Sequence, residues 1–98
     1  MVYKITITPS ALNDLQEALD YYNEISPNLG YRITDEIDNS LTDIAKMPLA
    51  YSFRYKNVRA KLLPKFPYLI FFICNPDKQT ITVLRIFNTH QSPYWLTS

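Results

Sequence analysis

The sequence predicts an α+β fold of order β-α-α-β-β-β-β, in which an N-terminal helical hairpin packs on an antiparallel-rich sheet. Three observations predict it. A short stretch of alternating apolar and polar residues opens the chain, two segments with helical periodicity follow, and the second half alternates with the period of two that strands have. With 98 residues, 47% of them hydrophobic, the chain has the size and apolar content of a single domain spanning residues 1–98.

The first strand and the first helix are predicted within residues 3–26. Apolar and polar residues alternate over residues 3–7, as in a half-buried strand. Thr8 and Pro9 suit the N-cap and the first position of a helix, because the threonine oxygen accepts a free backbone N–H and proline has none to lose. Apolar residues continue at helical spacing to Ile25, and Ser26-Pro27-Asn28 is predicted to break the helix.

The second helix is predicted to begin near Leu29 and to stop at Met47-Pro48. Its apolar stripe consists of Ile33, Ile37, Leu41 and Ile44. Because the connection between the helices is short, they are expected to form an antiparallel hairpin whose apolar stripes face the sheet.

Four strands are predicted in the second half. Residues 51–62 alternate on either side of Asn57, which predicts a hairpin with one apolar and one basic face, and the aromatic side chains at 51, 53 and 55 are expected to pack in the core. Residues 68–74 are continuously apolar, which predicts a central strand covered on both faces. Residues 81–87 predict another buried strand, interrupted by one charge, Arg85.

Charge is divided unevenly along the chain. Residues 1–45 hold two basic and eight acidic side chains, a net charge of −6, whereas residues 46–98 hold eight basic and one acidic, a net charge of +7. This segregation predicts two faces of opposite potential, of which the basic one would meet nucleic acid or an acidic protein. In the alternative, the two halves attract each other and the remaining charges are solvated.

Cys74 is the single cysteine and lies in an apolar run, so a buried structural thiol in a reducing compartment is expected. No signal peptide and no apolar run long enough to span a bilayer are recognised, and a cytoplasmic location is predicted. The sequence holds no phosphate-binding glycine-rich loop and no metal-binding motif, so neither a cofactor nor a metal is expected.

Arg85 and His90 are candidates for chemistry. An arginine within a buried strand must be paired or reach water, so Arg85 either binds a phosphate or carboxylate or forms a salt bridge to the helical layer. His90 is the only histidine, and any imidazole acid–base chemistry depends on it. An RNase-like reaction would use Arg59, Lys61, Arg85 and His90, and a surface histidine without a role is the alternative.

The surface predicted to contact a target or partner comprises the basic residues of the second half and the tail after residue 87. Its members are Arg54, Lys56, Arg59, Lys61, Lys65, Arg85, Asn88, His90, Tyr94 and Trp95. Cations beside aromatic rings suit single-stranded nucleic acid. However, the period of two places the aromatic residues at 51, 53 and 55 opposite Arg54 and Lys56, which weakens a base-stacking role.

Short segments distributed over nearly the whole chain carry a family resemblance. They are Ala11-Leu12-Asn13-Asp14-Leu15, Ala18, Tyr21-Tyr22, Leu29-Gly30, Met47-Pro48, Tyr51, Val58-Arg59, Lys65-Phe66-Pro67-Tyr68-Leu69-Ile70-Phe71 and Val83-Leu84-Arg85-Ile86-Phe87, with Pro93 and Trp95. Together they resemble the ParE branch of the RelE/ParE superfamily, the toxins of type II toxin–antitoxin pairs. The Phe-Pro-Tyr run before a hydrophobic strand and the terminal Pro-x-Trp are its most specific part. The fold that this resemblance implies agrees with the element order above.

Three positions depart from the RNases of that superfamily. RelE-like ribosome-dependent RNases generally have an arginine in the central strand where Tyr68 stands here, as in ParE-like members. A histidine common five residues before the terminal proline is Asn88 here, and an arginine common two residues before it is Gln91. His90 is out of register with that histidine. The resemblance therefore implies a non-enzymatic, ParE-like toxin that inhibits DNA gyrase and is neutralised by a ParD-like antitoxin.

Two other functions are compatible with the same residues. One is a RelE-like mRNA endonuclease, with the ribosome and mRNA as partners, and the other is a degenerate member that binds its antitoxin without being toxic. Antitoxin tails of this kind commonly add a helix or a strand to the toxin. Because the predicted hairpin is basic, we expect the antitoxin to present acidic and apolar residues to it.

Overall fold

The computed structural model describes residues 2–90. Its elements in chain order are β1 (Lys4–Ile7), α1 (Pro9–Ile25), α2 (Pro27–Lys46), a one-turn 3-10 helix (Pro48–Ala50), β2 (Phe53–Tyr55), β3 (Val58–Leu62), β4 (Tyr68–Asn75) and β5 (Thr80–Asn88). This is the order that the sequence predicts.

The two helices are joined through a single residue. The backbone N–H of Ser26 donates to the carbonyl of Tyr22 at the end of α1, and its side-chain oxygen accepts the N–H of Asn28 at 3.2 Å, which caps α2. Consequently α2 begins at Pro27 and not near Leu29 as predicted. The reason is that a proline in the first helical turn has no N–H to leave unpaired, so Pro27 starts a helix here.

The sheet has the strand order β1-β5-β4-β3-β2. Neighbours from β5 to β2 are antiparallel, and β1 joins the edge in parallel with β5, with Lys4 opposite Thr80 and Ile7 opposite Val83. The prediction of a helical hairpin on an antiparallel-rich sheet is confirmed. The sheet is mixed because β1 is separated from β5 by the rest of the fold, and no hairpin turn forces the two strands to run in opposite directions.

The core lies between the helices and the sheet, and β4 and β5 form its centre. The buried cluster consists of Ala11, Ala18, Ile33, Ile37, Ile44, Leu63, Phe66, Tyr68, Ile70, Phe72, Ile81, Val83 and Ile86. Three of the four residues of the predicted α2 stripe belong to it, and Leu41 is half-buried against it. On the other face of β4, Phe71 is 2% exposed and lies with its ring centre 6.1 Å from that of Phe87. The sequence predicted a central strand covered on both faces for residues 68–74, and the burial of Phe71 agrees with this.

A β-bulge interrupts β5 next to Arg85. Phe71 of β4 is opposite Arg85, whereas Phe72 is opposite Val83, so Leu84 has no direct counterpart on β4. Bulges of this kind change the direction of a strand and of the side chains that follow. This one stands where β1 ends, because β1 accompanies β5 only as far as Val83.

Thr8 connects the start of α1 to the bulge. Its hydroxyl oxygen accepts the N–H of Ala11 at 3.1 Å, as predicted for an N-cap, and the hydroxyl donates to the carbonyl of Leu84 at 3.0 Å. One side chain thereby caps the helix and fixes it to the edge of β5. From this point on, the neighbour of β5 at that edge is α1 in place of β1.

Candidate functional site

A cleft of about 430 Å³ lies between α1 and the C-terminal half of β5, and we call it the α1–β5 cleft. The helix contributes Asp14, Glu17, Tyr21 and Tyr22 to its wall, and the sheet side contributes Tyr68, Arg85, Asn88 and His90. Three residues predicted as contacts from the sequence, Arg85, Asn88 and His90, are thus brought together.

Within the cleft, Arg85 is bound by Asp14. The Nε and Nη2 atoms of Arg85 donate to the two carboxylate oxygens at 2.7 and 2.9 Å. Asp14 Oδ2 also accepts the backbone N–H of Ile86 at 3.0 Å, so a helix side chain satisfies the edge of β5 beyond the end of β1. The side chains are 10% exposed for Asp14 and 32% for Arg85. Of the two alternatives predicted for Arg85, the structure shows the salt bridge to the helical layer.

Tyr68 and Asn88 are directly opposite each other on β4 and β5. The pKa of Tyr68 is raised to about 12, chiefly by burial and to a smaller extent by Tyr22 and Tyr21, while a side-chain hydrogen bond with Asn88 opposes the shift. The ring of Tyr22 packs edge-on at 6.4 Å between ring centres. The Tyr68 phenol is therefore protonated at neutral pH and does not serve as a base there.

Tyr68→Phe is expected to remove a pH dependence of stability between pH 10 and 12. Because the folded pKa lies above the unfolded value of 10, the protonated phenol stabilises the fold fully below pH 10, and this contribution is lost as the pH rises towards 12. A two-unit difference corresponds to at most about 3 kcal/mol. Urea unfolding of both proteins at about pH 9 and about pH 11.5 measures it. Equal changes with pH in the two proteins would contradict the assignment.

His90 borders the cleft in an exposed turn. Its backbone N–H donates to the side-chain oxygen of Asn88 at 2.9 Å. Within residues 2–90 the imidazole itself has no hydrogen-bond partner that would fix its tautomer. The other predicted tail contacts, Tyr94 and Trp95, lie outside the described residues.

The second candidate region is the hairpin of β2 and β3, residues 53–62, which we call the basic hairpin. Arg54 and Lys56 are exposed, whereas Arg59 and Lys61 are half-buried. The Nη1 atom of Arg59 donates to the carbonyl of Tyr51 at 2.6 Å. Arg59 therefore supports the chain segment that enters the hairpin, and Arg54 and Lys56 are the cations most accessible to a partner.

The predicted separation of an apolar face from a basic face is wrong for this hairpin. Tyr55 is opposite Val58, but an irregularity of register places Phe53 opposite Arg59, where a regular ladder would give Ala60. Because successive side chains alternate between faces, this one-residue shift moves Phe53 to the face of Arg59. The guanidinium carbon of Arg59 accordingly lies 3.9 Å from the centre of the Phe53 ring.

The expected core packing of three aromatic residues is correct only for Tyr51. Its ring meets Phe72 edge-on at 6.0 Å between ring centres. Phe53 and Tyr55 are 57% and 38% exposed. The reason is topological: the core is centred on β4 and β5, and β2 is the edge strand at the far side of β3.

The remaining predicted cations face the acidic helix α2. The Glu36 carboxylate accepts the backbone N–H groups of Lys65 and Phe66 at 3.0 and 3.1 Å. Lys61 and Lys65 border a depression of about 330 Å³ that Glu36 and Asp43 also line. The attraction between acidic and basic halves, one of the two sequence alternatives, accounts for part of the charge pattern through the Asp14–Arg85 ion pair. Arg54 and Lys56 remain outside it.

The four residues of the RNase hypothesis are divided between two places. Arg85 and His90 line the α1–β5 cleft, whereas Arg59 and Lys61 are on β3 and do not line it. The strand β4 lies between β3 and β5.

The cleft wall on α1, which holds Asp14, Glu17 and two tyrosines, was missed from the sequence as a site. A signal existed for Asp14, which follows Ala11 by three residues and precedes Ala18 by four, and both alanines are at most 3% exposed. Such spacing places the carboxylate next to the buried face of the helix, where it needs a partner. Glu17 gave no such signal, because exposed acidic residues are ordinary on a surface helix.

Cys74 is half-buried against the core, so the expectation of a buried thiol is met in part. Burial raises the pKa of its thiol and Arg59 lowers it to a smaller extent, so the thiol is not activated. Within residues 2–90, no three His, Cys, Asp or Glu side chains come together as metal ligands would. None of the helices in that range is long and apolar enough to cross a bilayer.

Several solved structures share this fold. The chain is 20% identical to the chromosomal ParDE toxin–antitoxin system from P. aeruginosa, covering 89% of this chain and 96% of that one with a TM-score of 0.76. It is 14% identical to the isolated E. coli RelE toxin, with coverages of 95% and 90% and a TM-score of 0.67. For the RelBE2 toxin–antitoxin complex from Mycobacterium tuberculosis, the identity is 14%, the coverages are 90% and 99%, and the TM-score is 0.60.

At these identities the structural similarity shows the fold alone. No curated protein matches the sequence. The family model of the ParE toxin of the type II toxin–antitoxin system parDE, however, matches residues 5–93, which is nearly the whole chain. The chain therefore belongs to the ParE toxin family of type II toxin–antitoxin systems.

Proposed function

We propose that this protein is a cytoplasmic toxin that inhibits DNA gyrase by binding to it, without catalysing a reaction of its own, and that a ParD-like antitoxin neutralises it. Family membership supports the toxin role. The gyrase target rests on the resemblance to ParE-like toxins. The observation that carries the non-enzymatic part is the bidentate ion pair of Arg85 with Asp14 inside the cleft.

An RNase would need a base for the 2′-hydroxyl, an acid for the leaving oxygen and cations at the phosphate. In the cleft, the guanidinium of Arg85 already has a carboxylate counter-ion, and the Tyr68 phenol stays protonated at neutral pH. Arg59 and Lys61, the other proposed cations, are two strands away from Arg85. This distribution supports binding over cleavage.

The antitoxin is expected to dock at the basic hairpin. Its exposed side chains include Arg54 and Lys56 and the rings of Phe53 and Tyr55, and β2 is an edge strand of the sheet. An edge strand offers backbone groups to an added strand, and cations beside exposed rings suit a segment with acidic and apolar residues. This placement supports the acidic antitoxin segment predicted from the sequence.

Induced expression in a bacterial host is expected to arrest growth with gyrase-dependent DNA breaks and intact mRNA, and co-expression of the antitoxin is expected to restore growth. Gyrase-dependent DNA breaks are expected to persist in His90→Ala, because this variant loses at most one contact among several and a binding toxin needs no imidazole for catalysis. Ribosome-dependent mRNA cuts that disappear in this variant would overturn the proposal in favour of an endonuclease. Normal growth on expression, with antitoxin binding intact, would show that the chain is a non-toxic member.

A further inference from the structure

We propose that the α1–β5 cleft binds the cationic side chain of an arginine that a protein partner presents, and not a phosphate. The cleft lies between Glu17, Tyr21 and Tyr22 of α1 and Tyr68 of β4, with the Asp14–Arg85 pair beside them. The inference rests on the proposed function in taking the ligand to be part of a protein, but it does not depend on which protein is the target.

The charge balance of the cleft is negative. Two carboxylates, Asp14 and Glu17, line it together with one guanidinium, Arg85. Since Asp14 and Arg85 bind each other, the formal charge that remains is that of Glu17. Within residues 2–90 the Glu17 carboxylate makes no ion pair and accepts one hydrogen bond, from the side chain of Asn13 at 3.2 Å. Residues 91–98 contain no lysine or arginine that would neutralise it.

Aromatic rings supply the second part of the recognition. Tyr21 is 60% exposed and packs edge-on with Tyr22, with 4.9 Å between ring centres and planes at 87°. Tyr22 in turn contacts Tyr68 edge-on at 6.4 Å. Rings at different angles that share a cleft with a carboxylate suit a guanidinium, which stacks on aromatic faces and donates to a carboxylate at the same time.

The electrostatic field of the Glu17 carboxylate acts on the interior of the cleft. Its negative charge is one of the causes, after burial and the neighbouring tyrosines, that raise the pKa of Tyr68 on β4. A phosphate placed between Glu17 and Tyr68 would be repelled by the same field, whereas a guanidinium there would be attracted.

The cleft and the basic hairpin thus select opposite charges. The hairpin exposes Arg54 and Lys56 for acidic residues, and the cleft offers Glu17 for a basic residue. A partner segment with an acidic stretch and a separate arginine would match both surfaces in one orientation only. Electrostatic complementarity of this kind fixes the register of binding more than its strength.

The test is a titration of the full-length, isotope-labelled protein with N-acetyl-arginine amide, followed by NMR. The expected result is binding in the millimolar range, with shifts at the cleft residues and at least about fivefold weaker binding of the neutral isostere N-acetyl-citrulline amide. Glu17→Gln is expected to weaken arginine binding by about the same factor. Glu24→Gln, an exposed position on the same helix that does not line the cleft, is the matched control and should bind like the wild type.

Equal binding of the arginine and citrulline probes, or an unchanged affinity in Glu17→Gln, would overturn the proposal. So would inorganic phosphate that shifts the cleft residues more strongly than the arginine probe does. The same spectra report whether each variant is folded. Because the readout involves neither gyrase nor growth, a negative result here leaves the proposed function standing, and failed gyrase inhibition leaves this inference standing.

Discussion

Asp14→Ala is expected to lower the free energy of unfolding by about 3 kcal/mol. The substitution removes an acceptor that is 10% exposed and holds three hydrogen bonds: two from Arg85 and one from the backbone N–H of Ile86. The edge of β5 loses its connection to α1 at a point where β1 no longer covers it. Leaving a buried N–H without an acceptor, or a cation without its carboxylate, destabilises the fold by more free energy than the hydrogen bonds themselves contribute.

Urea unfolding measures this loss, and two further variants separate its causes. Asp14→Asn keeps an acceptor oxygen but no charge, so an intermediate loss of about 1–2 kcal/mol is expected. Asp20→Ala removes an exposed carboxylate of the same helix whose hydrogen bond, from Gln16, lies on the surface, and it should cost under about 0.5 kcal/mol. A similar loss for Asp14→Ala and Asp20→Ala would show that the α1–β5 connection does not stabilise the fold.

The double substitution Arg54→Glu with Lys56→Glu is expected to weaken antitoxin binding at least about tenfold at low salt, and less at high salt. Both side chains are exposed, so the fold should be unaffected. Arg59 and Lys61 would be a poorer choice, since Arg59 holds the carbonyl of Tyr51 and stacks on Phe53, and their replacement would disturb the hairpin itself.

Lys4→Glu with Lys78→Glu is the matched control, because it changes the net charge by the same amount at the opposite edge of the sheet. The backbone N–H of Lys4 donates to the carbonyl of Gln79, next to Lys78, so the two lysines are close in the fold. Calorimetric titration with the antitoxin compares the two doubles. If both double substitutions weaken antitoxin binding equally, the effect is one of net charge, and the antitoxin does not bind at the basic hairpin.

Periodicity in the sequence was sufficient for the main elements of the fold. The α2 stripe of Ile33, Ile37 and Ile44 is buried as predicted, and residues 68–74 form the central strand. These segments were predictable because each contains several apolar residues at the spacing of one kind of secondary structure. The start of α2 was not, since one proline either breaks a helix or begins one, and only the cap at Ser26 decides between them.

The hairpin faces and the cleft depend on features that a single sequence does not display. One irregularity of register between Phe53 and Tyr55 moves a ring to the other face, and no residue type marks that position. The partner of Arg85 is 71 residues away in the chain, so the pair follows from the packing of α1 on β5 and not from local spacing. For this reason the sequence predicted Arg85 as a site or a salt bridge with equal support.

The segregation of charge has two components in the folded protein. Part of it is internal, because Arg85 is paired with Asp14. The remainder is displayed outward at two separate surfaces, the basic hairpin and the negatively charged α1–β5 cleft. A protein that displays two surfaces of opposite sign is suited to bind partners in a defined orientation.

The most direct test of the central claim is a supercoiling assay with purified gyrase, relaxed plasmid and the purified protein. We expect inhibition of supercoiling or accumulation of gyrase-trapped DNA breaks, still present in His90→Ala and abolished when the antitoxin is added first. Unimpaired supercoiling, together with cleavage of mRNA on purified ribosomes by the same preparation, would contradict the account.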